Sequence, residues 1–328
     1  MLPPPRGPPP ATRIINMFEM TKTLGGLPQY SLSSAFFGDS SSIESVYSPL
    51  PPAKEIKCTV QPHVHHFVFI VHGNGAIYTE KDAKVLSQWD CFGFPPGNTE
   101  RTYTLVGGKE GGGFVIISDR DALENIDLHT EPPSFPTIVH SYNVTQWEGK
   151  GIRTTKKAVL TDLIDTNCVS EQKRPWNVTL ECLLPGTQSS YPHAHSAEDE
   201  FVVVLAGKAR YWCDGEEPEG ILQAGDCVGW EKGTGIAHCI INDADGPQGE
   251  GAVVVLLNFG ESNPKDLLYY PTKADDEHFT NSEWSWKDHP RPSLGRASSV
   301  PKYPRGADIP YPVWEAHSPN EAMTTDSE

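Results

Sequence analysis

The segment YPHAHSAEDEFVVVLAG, residues 191–207, places two histidines and an acidic cluster directly before a run of β-forming residues. Residues i and i+2 of a strand point to one face, about 6–7 Å apart, so His193 and His195 are expected to face the same way. Glu200 begins the apolar run, and His238 follows a glycine-rich turn later in the chain. Three imidazoles and a carboxylate could together hold a divalent transition metal. Burying such groups without a partner or an ion is costly, which favours a shared function over chance.

Composition narrows the class of protein that must position these groups. The chain has 328 residues, 37% hydrophobic content, 30 prolines, 29 glycines and a formal charge of −17. The negative charge argues against nucleic acid and anionic membrane surfaces as partners, since both require basic patches. Seven cysteines without a Cys-x-x-Cys pair indicate free, mostly buried thiols in a reducing compartment. The sequence begins without a signal-peptide pattern and contains no apolar run of membrane-spanning length, so we expect a cytoplasmic protein.

An internal repeat divides the chain into two similar units. Three pairs of segments match in the same order at nearly one offset, which is hard to obtain by chance. The matched pairs are 66–79 with 200–213, 89–99 with 225–235, and 112–119 with 251–258.

Each unit consists of short apolar or alternating runs bounded by Gly, Asp, Asn or Pro, which is typical of strands. The sequence therefore predicts an all-β protein of two tandem antiparallel jelly-roll barrels, with short helices and irregular tails. EKDAKVLSQW, residues 80–89, is the best helix candidate. The expected organisation is a flexible segment at 1–25, barrel 1 at 26–135, barrel 2 at 136–274 and an irregular segment at 275–328, whose SEWSWKDHPRP aromatics could pin it to the body.

The second unit closely resembles the two sequence motifs of the cupin superfamily over residues 186–258. The residues that carry the resemblance are His193-x-His195-x4-Glu200-x6-Gly207 and then Gly225, Gly233, His238 and Asn242. The resemblance implies a metal held by His193, His195, Glu200 and His238 inside a small β-barrel, and the repeat extends it to a bicupin. The second unit is also similar to functionally uncharacterised single-barrel cupins that read HAHSAEDEF and GTGIAH.

Departures from the cupin pattern change loop lengths and leave the four candidate ligands in place. Gly186 lies one residue further from the histidines than usual, and Glu231 stands where a proline is typical. The turn before His238 is longer than expected. Glu198 competes with Glu200 for the role of carboxylate ligand, and the spacing to the following glycine favours Glu200.

The first unit keeps only part of the pattern. His66 falls at the position of Glu200, and Thr102 falls at the position of His238. We expect a structural barrel that packs against the second one, with a three-histidine site as the alternative. The histidines of that alternative second site are His63, His65 and His66.

Other candidates are weaker. Cys91 and Cys227 occupy equivalent positions of the two repeats, which favours packing over catalysis. Four further residues could line a substrate pocket or belong to the core. These are Tyr191, Tyr211, Trp230 and Asn242.

The predicted function is a metal-dependent cupin enzyme that acts on a small oxygenated organic molecule, with dioxygenase-like oxidoreductase chemistry favoured. The ligand types leave the metal open among Fe, Mn, Ni, Zn and Cu. Glu200 would act as a ligand or, when detached, as a general base. One alternative is a Lewis-acid isomerase, lyase or decarboxylase, and another is a bicupin that binds a small molecule without turnover. A homodimer is compatible with the sequence.

Overall fold

The computed structural model describes residues 14–18, 29–37, 41–120, 135–144, 147–148, 155–163, 175–214, 220–243, 252–273 and 277–290. In the first half the strands are β1 (Ile14–Asn16), β2 (Tyr30–Ser31), β3 (Ile43–Leu50), β4 (Glu55–Val60), β5 (His66–Tyr78), β6 (Ala83–Leu86), β7 (Asp90–Phe94), β8 (Arg101–Asp119) and β9 (Val139–His140). In the second half they are β10 (Trp147–Glu148), β11 (Thr155–Val159), β12 (Trp176–Leu183), β13 (Thr187–Gln188), β14 (Ala194–His195), β15 (Glu200–Ala206), β16 (Lys208–Cys213), β17 (Gly220–Gln223), β18 (Asp226–Trp230), β19 (His238–Asn242), β20 (Val254–Glu261) and β21 (Leu268–Tyr269).

Helices are short throughout the described residues. They are α1 (Leu32–Phe37), α2 (Glu277–Thr280) and three 3-10 turns at Ser141–Asn143, Leu160–Leu163 and Pro271–Lys273. None of them has the length and apolar character that crossing a membrane would require. The all-β prediction is therefore confirmed.

Two jelly-roll barrels follow one another along the chain, as the repeat predicted. Barrel 1 is an eight-stranded sheet of order β2-β3-β8-β5-β7-β9, with β4 paired to β8 and β6 paired to β5. Barrel 2 has a large sheet of order β1-β18-β15-β20-β12-β11-β10, a smaller sheet β13-β19-β16-β17 and the ribbon β14-β21. Closing sheets in this way hides most strand edges.

Each barrel includes a strand that lies outside its predicted bounds. Strand β1 pairs with β18 of barrel 2, with Ile15 opposite Cys227. Strand β9 pairs with β7 of barrel 1, with Val139 opposite Cys91. Residues 14–16 are thus part of a sheet rather than of a flexible segment, and the predicted boundary at 135/136 does not separate the two sheets.

Strand β15 shows why the two barrels share a core. Phe201 and Val203 are fully buried and belong to an apolar cluster that joins both barrels. Val202 and Val204 point to the opposite face and belong to the interior of barrel 2. Strand β5 alternates in the same way between the shared cluster and the interior of barrel 1. Both strands are buried on two faces, which explains their continuous apolar sequences.

Two carboxylates near the barrel mouths tie the barrels together in equivalent ways. Asp119 of barrel 1 accepts a hydrogen bond from the indole Nε1 of Trp176 at 2.5 Å. Glu261 of barrel 2 accepts one from the backbone N–H of Ser42 at 2.7 Å. Lys232 also places its Nζ 2.6 Å from Glu261. These buried bonds fix how the large sheets meet, and therefore how the strand that begins at Glu200 is held.

The helix predicted over 80–89 is wrong, because residues 83–86 form β6 and pair with β5. Val85 is 73% exposed whereas Leu86 is fully buried. Only the last of the four residues of β6 is buried, and the pairing with β5 overrides the local helical preference.

The cysteine prediction is borne out in the described residues, where six cysteines are free and buried. Cys91 and Cys227 both lie in the shared core, where burial raises the pKa of each thiol above its ordinary value. Their equivalent placement therefore reflects packing. Cys168 lies outside the described residues, as do residues 1–13, 19–28 and 291–328.

Candidate metal centre

The mouth of barrel 2 brings together the four residues singled out in the sequence. Glu200 begins β15, His238 begins β19, and His195 ends β14. His193 forms a bridge to His238 across the mouth. The Nε2 atoms of His193, His195 and His238 lie 3.8, 3.5 and 3.0 Å from the same oxygen, Oε2 of Glu200. Three imidazoles thus converge on one carboxylate oxygen.

The outer nitrogen of each imidazole is engaged elsewhere. His193 and His238 each direct Nδ1 at the backbone carbonyl two residues earlier, at 2.8 and 3.1 Å. His195 directs Nδ1 at Oδ2 of Asp266, at 2.6 Å. A carbonyl oxygen only accepts hydrogen bonds, so in the neutral ring of His193 or His238 the proton lies on Nδ1 and the Nε2 lone pair faces Glu200. Outer partners of this kind are typical of histidines that bind a metal.

This arrangement gathers acceptors that need a cation. A neutral imidazole with its proton on Nδ1 presents a lone pair at Nε2, and an ionised carboxylate presents only lone pairs. Two such atoms 3.0 Å apart, as in His238 and Glu200, repel unless a positive charge lies between them. That charge is either a proton on the ring or a metal ion, so the donor set fits a divalent transition metal.

Burial and hydrogen bonding act in opposite directions on these groups. Burial, followed by the charge of His195, lowers the pKa of His193 to about 3. Burial also opposes the charge on His195, but hydrogen bonds to Asp266 and Glu200 outweigh it and raise its pKa to about 10. Burial alone would raise the pKa of Glu200, yet hydrogen bonds from His195 and His238 hold it well below its ordinary value. The pKa shifts of His193 and His195 therefore have opposite signs, and His195 is the more basic of the two.

Glu198, the competing carboxylate, lies on the other side of His195. Its Oε2 is 3.6 Å from Nδ1 of His195, and its Oε1 accepts the backbone N–H of Asn263 at 2.5 Å. Burial raises the pKa of Glu198 to about 7. His195, Glu198 and Asp266 form a second cluster of possible ligands. Only Glu200 faces all three histidines, so the geometry favours it as the carboxylate of the site.

Two aromatic rings flank the histidines. Trp230 stacks on His238 with ring centroids 3.9 Å apart and an interplanar angle of 3°. Tyr270 stacks on His193 at 5.7 Å and 25°. The rings hold the imidazole planes in place and shield them from water. Trp230 is 6% exposed and its Nε1 has no partner among the described residues.

Sequence reasoning missed Asp266 and Tyr270, which lie beyond the last barrel strand. Strand β14 pairs with β21, which places Asp266 beside His195. The chain then continues around the mouth, where Trp284 and Trp286 exchange backbone hydrogen bonds with Leu268. The expectation that these aromatics hold the C-terminal segment against the body is supported. No motif in the sequence marks Asp266; only the pairing of β21 shows its place.

Of the four predicted pocket residues, Trp230 is the one whose ring contacts the candidate ligands. Tyr191 contributes its carbonyl to His193, while its ring lies under Nζ of Lys273 at 4.5 Å. Tyr211 belongs to the apolar interior of barrel 2. Asn242 is 1% exposed and donates its side-chain N–H groups to the carbonyls of Leu183 and Ala252, each at 2.9 Å. Its contacts are structural.

In barrel 1, other residues occupy the positions that correspond to Glu200 and His238 of barrel 2. Glu200 pairs with Trp230 and Gly260, and His66 pairs with Phe94 and Ser118, so His66 corresponds to Glu200 as expected.

The residue that corresponds to His238 is Tyr103 rather than Thr102. Trp212 lies opposite Cys239, the residue after His238. Trp212 aligns with Tyr78 of the first repeat, and Tyr78 lies opposite Thr104. The residue before Thr104, Tyr103, therefore corresponds to His238. A shift of one residue turns a side chain to the other face of a sheet. The hydroxyl of Tyr103 lies 2.6 Å from Nε2 of His66.

His65 and His66 of the alternative three-histidine site in barrel 1 contact different partners. His65 pairs with Asp119, its Nδ1 lying 3.1 Å from Oδ2, while His66 is engaged by Tyr103. The backbone of His63 is in the left-handed region, with a φ of 61°, which is uncommon for residues other than glycine. Among the described residues, the clusters of three or more potential metal ligands include none of these histidines. The structure favours a structural role for barrel 1.

Comparisons with known proteins agree with this fold. Residues 179–254 match the cupin domain family model. The putative glyoxylate-induced protein from Pseudomonas aeruginosa is 15% identical, with a TM-score of 0.56 over 79% of this chain and 94% of that one. Protein Ylba from E. coli is 11% identical, with a TM-score of 0.53 over 76% and 90%.

A variant of oxalate decarboxylase from Bacillus subtilis is 14% identical, with a TM-score of 0.49 over 77% of this chain and 78% of that one. The first two likenesses show the fold alone, and the third is too weak to add to it. No curated protein matches the sequence significantly.

Proposed function

We propose that this chain, whose residues 179–254 match the cupin domain family model, is a bicupin and a metal-dependent enzyme with one metal centre, in barrel 2. The observation that carries the proposal is the convergence of three imidazole Nε2 atoms on one oxygen of Glu200 at 3.0 to 3.8 Å. The ligands would be His193, His195, Glu200 and His238. A structural role alone would not require acceptors to face one another.

A divalent transition metal held by these groups would supply Lewis-acid or redox chemistry to an oxygen of a small organic substrate. The ligand set suits Fe, Mn, Ni, Zn and Cu alike. Oxidative chemistry of the dioxygenase type is the reaction we favour, and isomerase, lyase or decarboxylase chemistry is the alternative.

The protein's own groups would orient the ligands and control water. Asp266 holds the ring of His195 through Nδ1 at 2.6 Å, and the stacked rings of Trp230 and Tyr270 fix the other two imidazoles. The low pKa of Glu200 keeps it ionised at neutral pH, which suits a ligand. Release of Glu200 from the metal would be needed before it could accept a proton from substrate.

The experiment that tests the proposal measures solvent access to the bound metal. Protein reconstituted with Mn²⁺ is expected to raise the relaxation rate of water protons, because four protein ligands leave coordination positions open to water. Small oxygenated acids that occupy those positions are expected to lower the relaxation rate. Binding of Mn²⁺ without any enhancement would mean that all positions are filled, which contradicts an enzyme and favours the non-catalytic bicupin.

The cytoplasm remains our proposed compartment. The six described cysteines are free thiols, which is typical of proteins kept in a reducing environment. A homodimer also remains a proposal. Within one chain, the two barrels already bury the sheet faces that form the shared core.

A further inference from the structure

The interior face of barrel 2 carries polar side chains beyond Glu200. Side chains of residues paired across neighbouring strands point to the same face of a sheet. Glu200 pairs with Gly260, and two residues further along β15, Val202 pairs with Asn258. Asn258 therefore faces the same interior as Glu200, one row deeper. Their Cα atoms are about 8 Å apart, from a strand spacing of about 4.8 Å and a rise of about 3.3 Å per residue.

Glu181 and Lys157 lie next to Asn258 and complete what we call the interior polar cluster. Glu181 pairs with Leu256 on one side and with Lys157 on the other, so both charged side chains start from the interior face. The side chain of Glu181 is fully buried, and its Oε2 lies 3.1 Å from Nζ of Lys157. The same oxygen accepts a hydrogen bond from Nδ2 of Asn258 at 2.7 Å.

Two acceptor atoms of the interior polar cluster have no partner among the described residues. They are Oε1 of Glu181 and Oδ1 of Asn258, both buried. Each atom can only accept hydrogen bonds, and a buried polar atom without a partner costs about 1–3 kcal/mol. Adjacent unpartnered acceptors beside an ammonium group suit a ligand that both donates and accepts, and a hydroxyl group has that property.

Barrel 1 shows that the fold does not require this cluster. Ser48 stands at the position of Glu181, because Ser48 pairs with Phe114 as Glu181 pairs with Leu256. Ile116 stands at the position of Asn258, because Ile116 pairs with Val68 as Asn258 pairs with Val202. The cluster and the converging histidines therefore occur together, in the barrel that holds the candidate metal centre. A buried polar group without a partner calls for an explanation, and a ligand of the neighbouring site supplies one.

From these contacts we propose that Lys157, Glu181 and Asn258 form a subsite that binds a hydroxyl group of the substrate. The inference rests on the proposed function, and it names the substrate class as a hydroxylated chain with a metal-binding oxygen several carbon atoms from the hydroxyl. The hydroxyl donates to Oε1 of Glu181 or Oδ1 of Asn258 and accepts from Nζ of Lys157. An unsubstituted acid of the same length leaves these atoms without partners.

The test compares gluconate, a six-carbon acid with hydroxyl groups, with hexanoate, a six-carbon acid without them. Isothermal titration calorimetry of the Mn²⁺-loaded wild-type protein is expected to show that gluconate binds at least about tenfold more tightly than hexanoate. A tenfold difference in affinity corresponds to about 1.4 kcal/mol, which one hydrogen bond can supply. Asn258→Leu, which is close in size, is expected to remove the preference while keeping Mn²⁺ uptake and hexanoate affinity. Glu181→Gln and Asn258→Ala are the second and third variants, should the leucine variant not fold.

Equal affinities in the wild type would overturn the subsite, as would a gluconate preference that survives these substitutions; the cluster would then hold buried water only. Failure of the proposed function has a different signature, because the wild type would then take up no Mn²⁺. The same titrations run without Mn²⁺ decide the subsite in that case, since its contacts involve no metal ligand.

Discussion

Replacing His193 and His195 together by alanine is expected to lower the affinity for a divalent transition metal by about 10,000-fold. Four-ligand metal sites in proteins bind with about 10–16 kcal/mol, so each ligand contributes roughly 3 kcal/mol and two contribute roughly 6. The imidazoles are partly exposed at the mouth, with side chains 12% and 15% accessible, so their removal leaves the barrel core intact. Competition with a chelator of known affinity measures the loss, and far-ultraviolet circular dichroism checks the fold.

The matched control is His63→Ala, which changes the residue that corresponds to His193 in the first repeat. This variant is expected to bind metal as tightly as the wild type, because the described clusters of potential ligands do not include His63. Loss of metal from the His63 variant with retention in the double variant would place the site in barrel 1 and refute our assignment.

Replacing Phe67 by alanine is expected to lower the free energy of unfolding by about 3–5 kcal/mol, as large-to-small substitutions of buried aromatic residues do. Phe67 is fully buried in the cluster that both barrels share, and its ring centroid lies 6.4 Å from that of Trp176 in the second half. Urea unfolding of the metal-loaded protein measures the effect. Because the core is common, the metal should be released in the same transition that unfolds barrel 1.

Val85→Ala is the control for this prediction, since Val85 lies in barrel 1 with 73% of its surface exposed. Its effect should stay within about 0.5 kcal/mol. Two separate transitions in the Phe67 variant, with metal retained through the first, would show that the barrels are stabilised independently and that the shared cluster contributes little.

The sequence was sufficient for the parts of the molecule that depend on local pattern. The alternation and turn residues of each repeat predicted the strands, and the spacing of His193 and His195 predicted that they would face the same way. His193 and His195 face the same way because the side-chain period of a strand is two residues. His238 could be added because its position relative to the glycine-rich turn matched a known motif.

Long-range pairing decides the features that the sequence could not supply. The pairing of β1 with β18 and of β9 with β7 depends on sheet edges that lie about 50 or more residues away in the chain. Asp266 reaches His195 only because β21 pairs with β14. Tyr103 rather than Thr102 matches His238 because the register of β8 differs by one residue from the alignment of repeats. Period and spacing carry no information about such pairings.

X-ray absorption spectroscopy of the zinc-loaded protein is the most direct test of the central claim that one metal centre is formed by three imidazoles and a carboxylate. We expect a first shell of nitrogen and oxygen at about 2.0–2.2 Å, with outer-shell scattering that corresponds to three imidazole rings. A sulfur shell near about 2.3 Å, or scattering from fewer than two imidazoles, would contradict it.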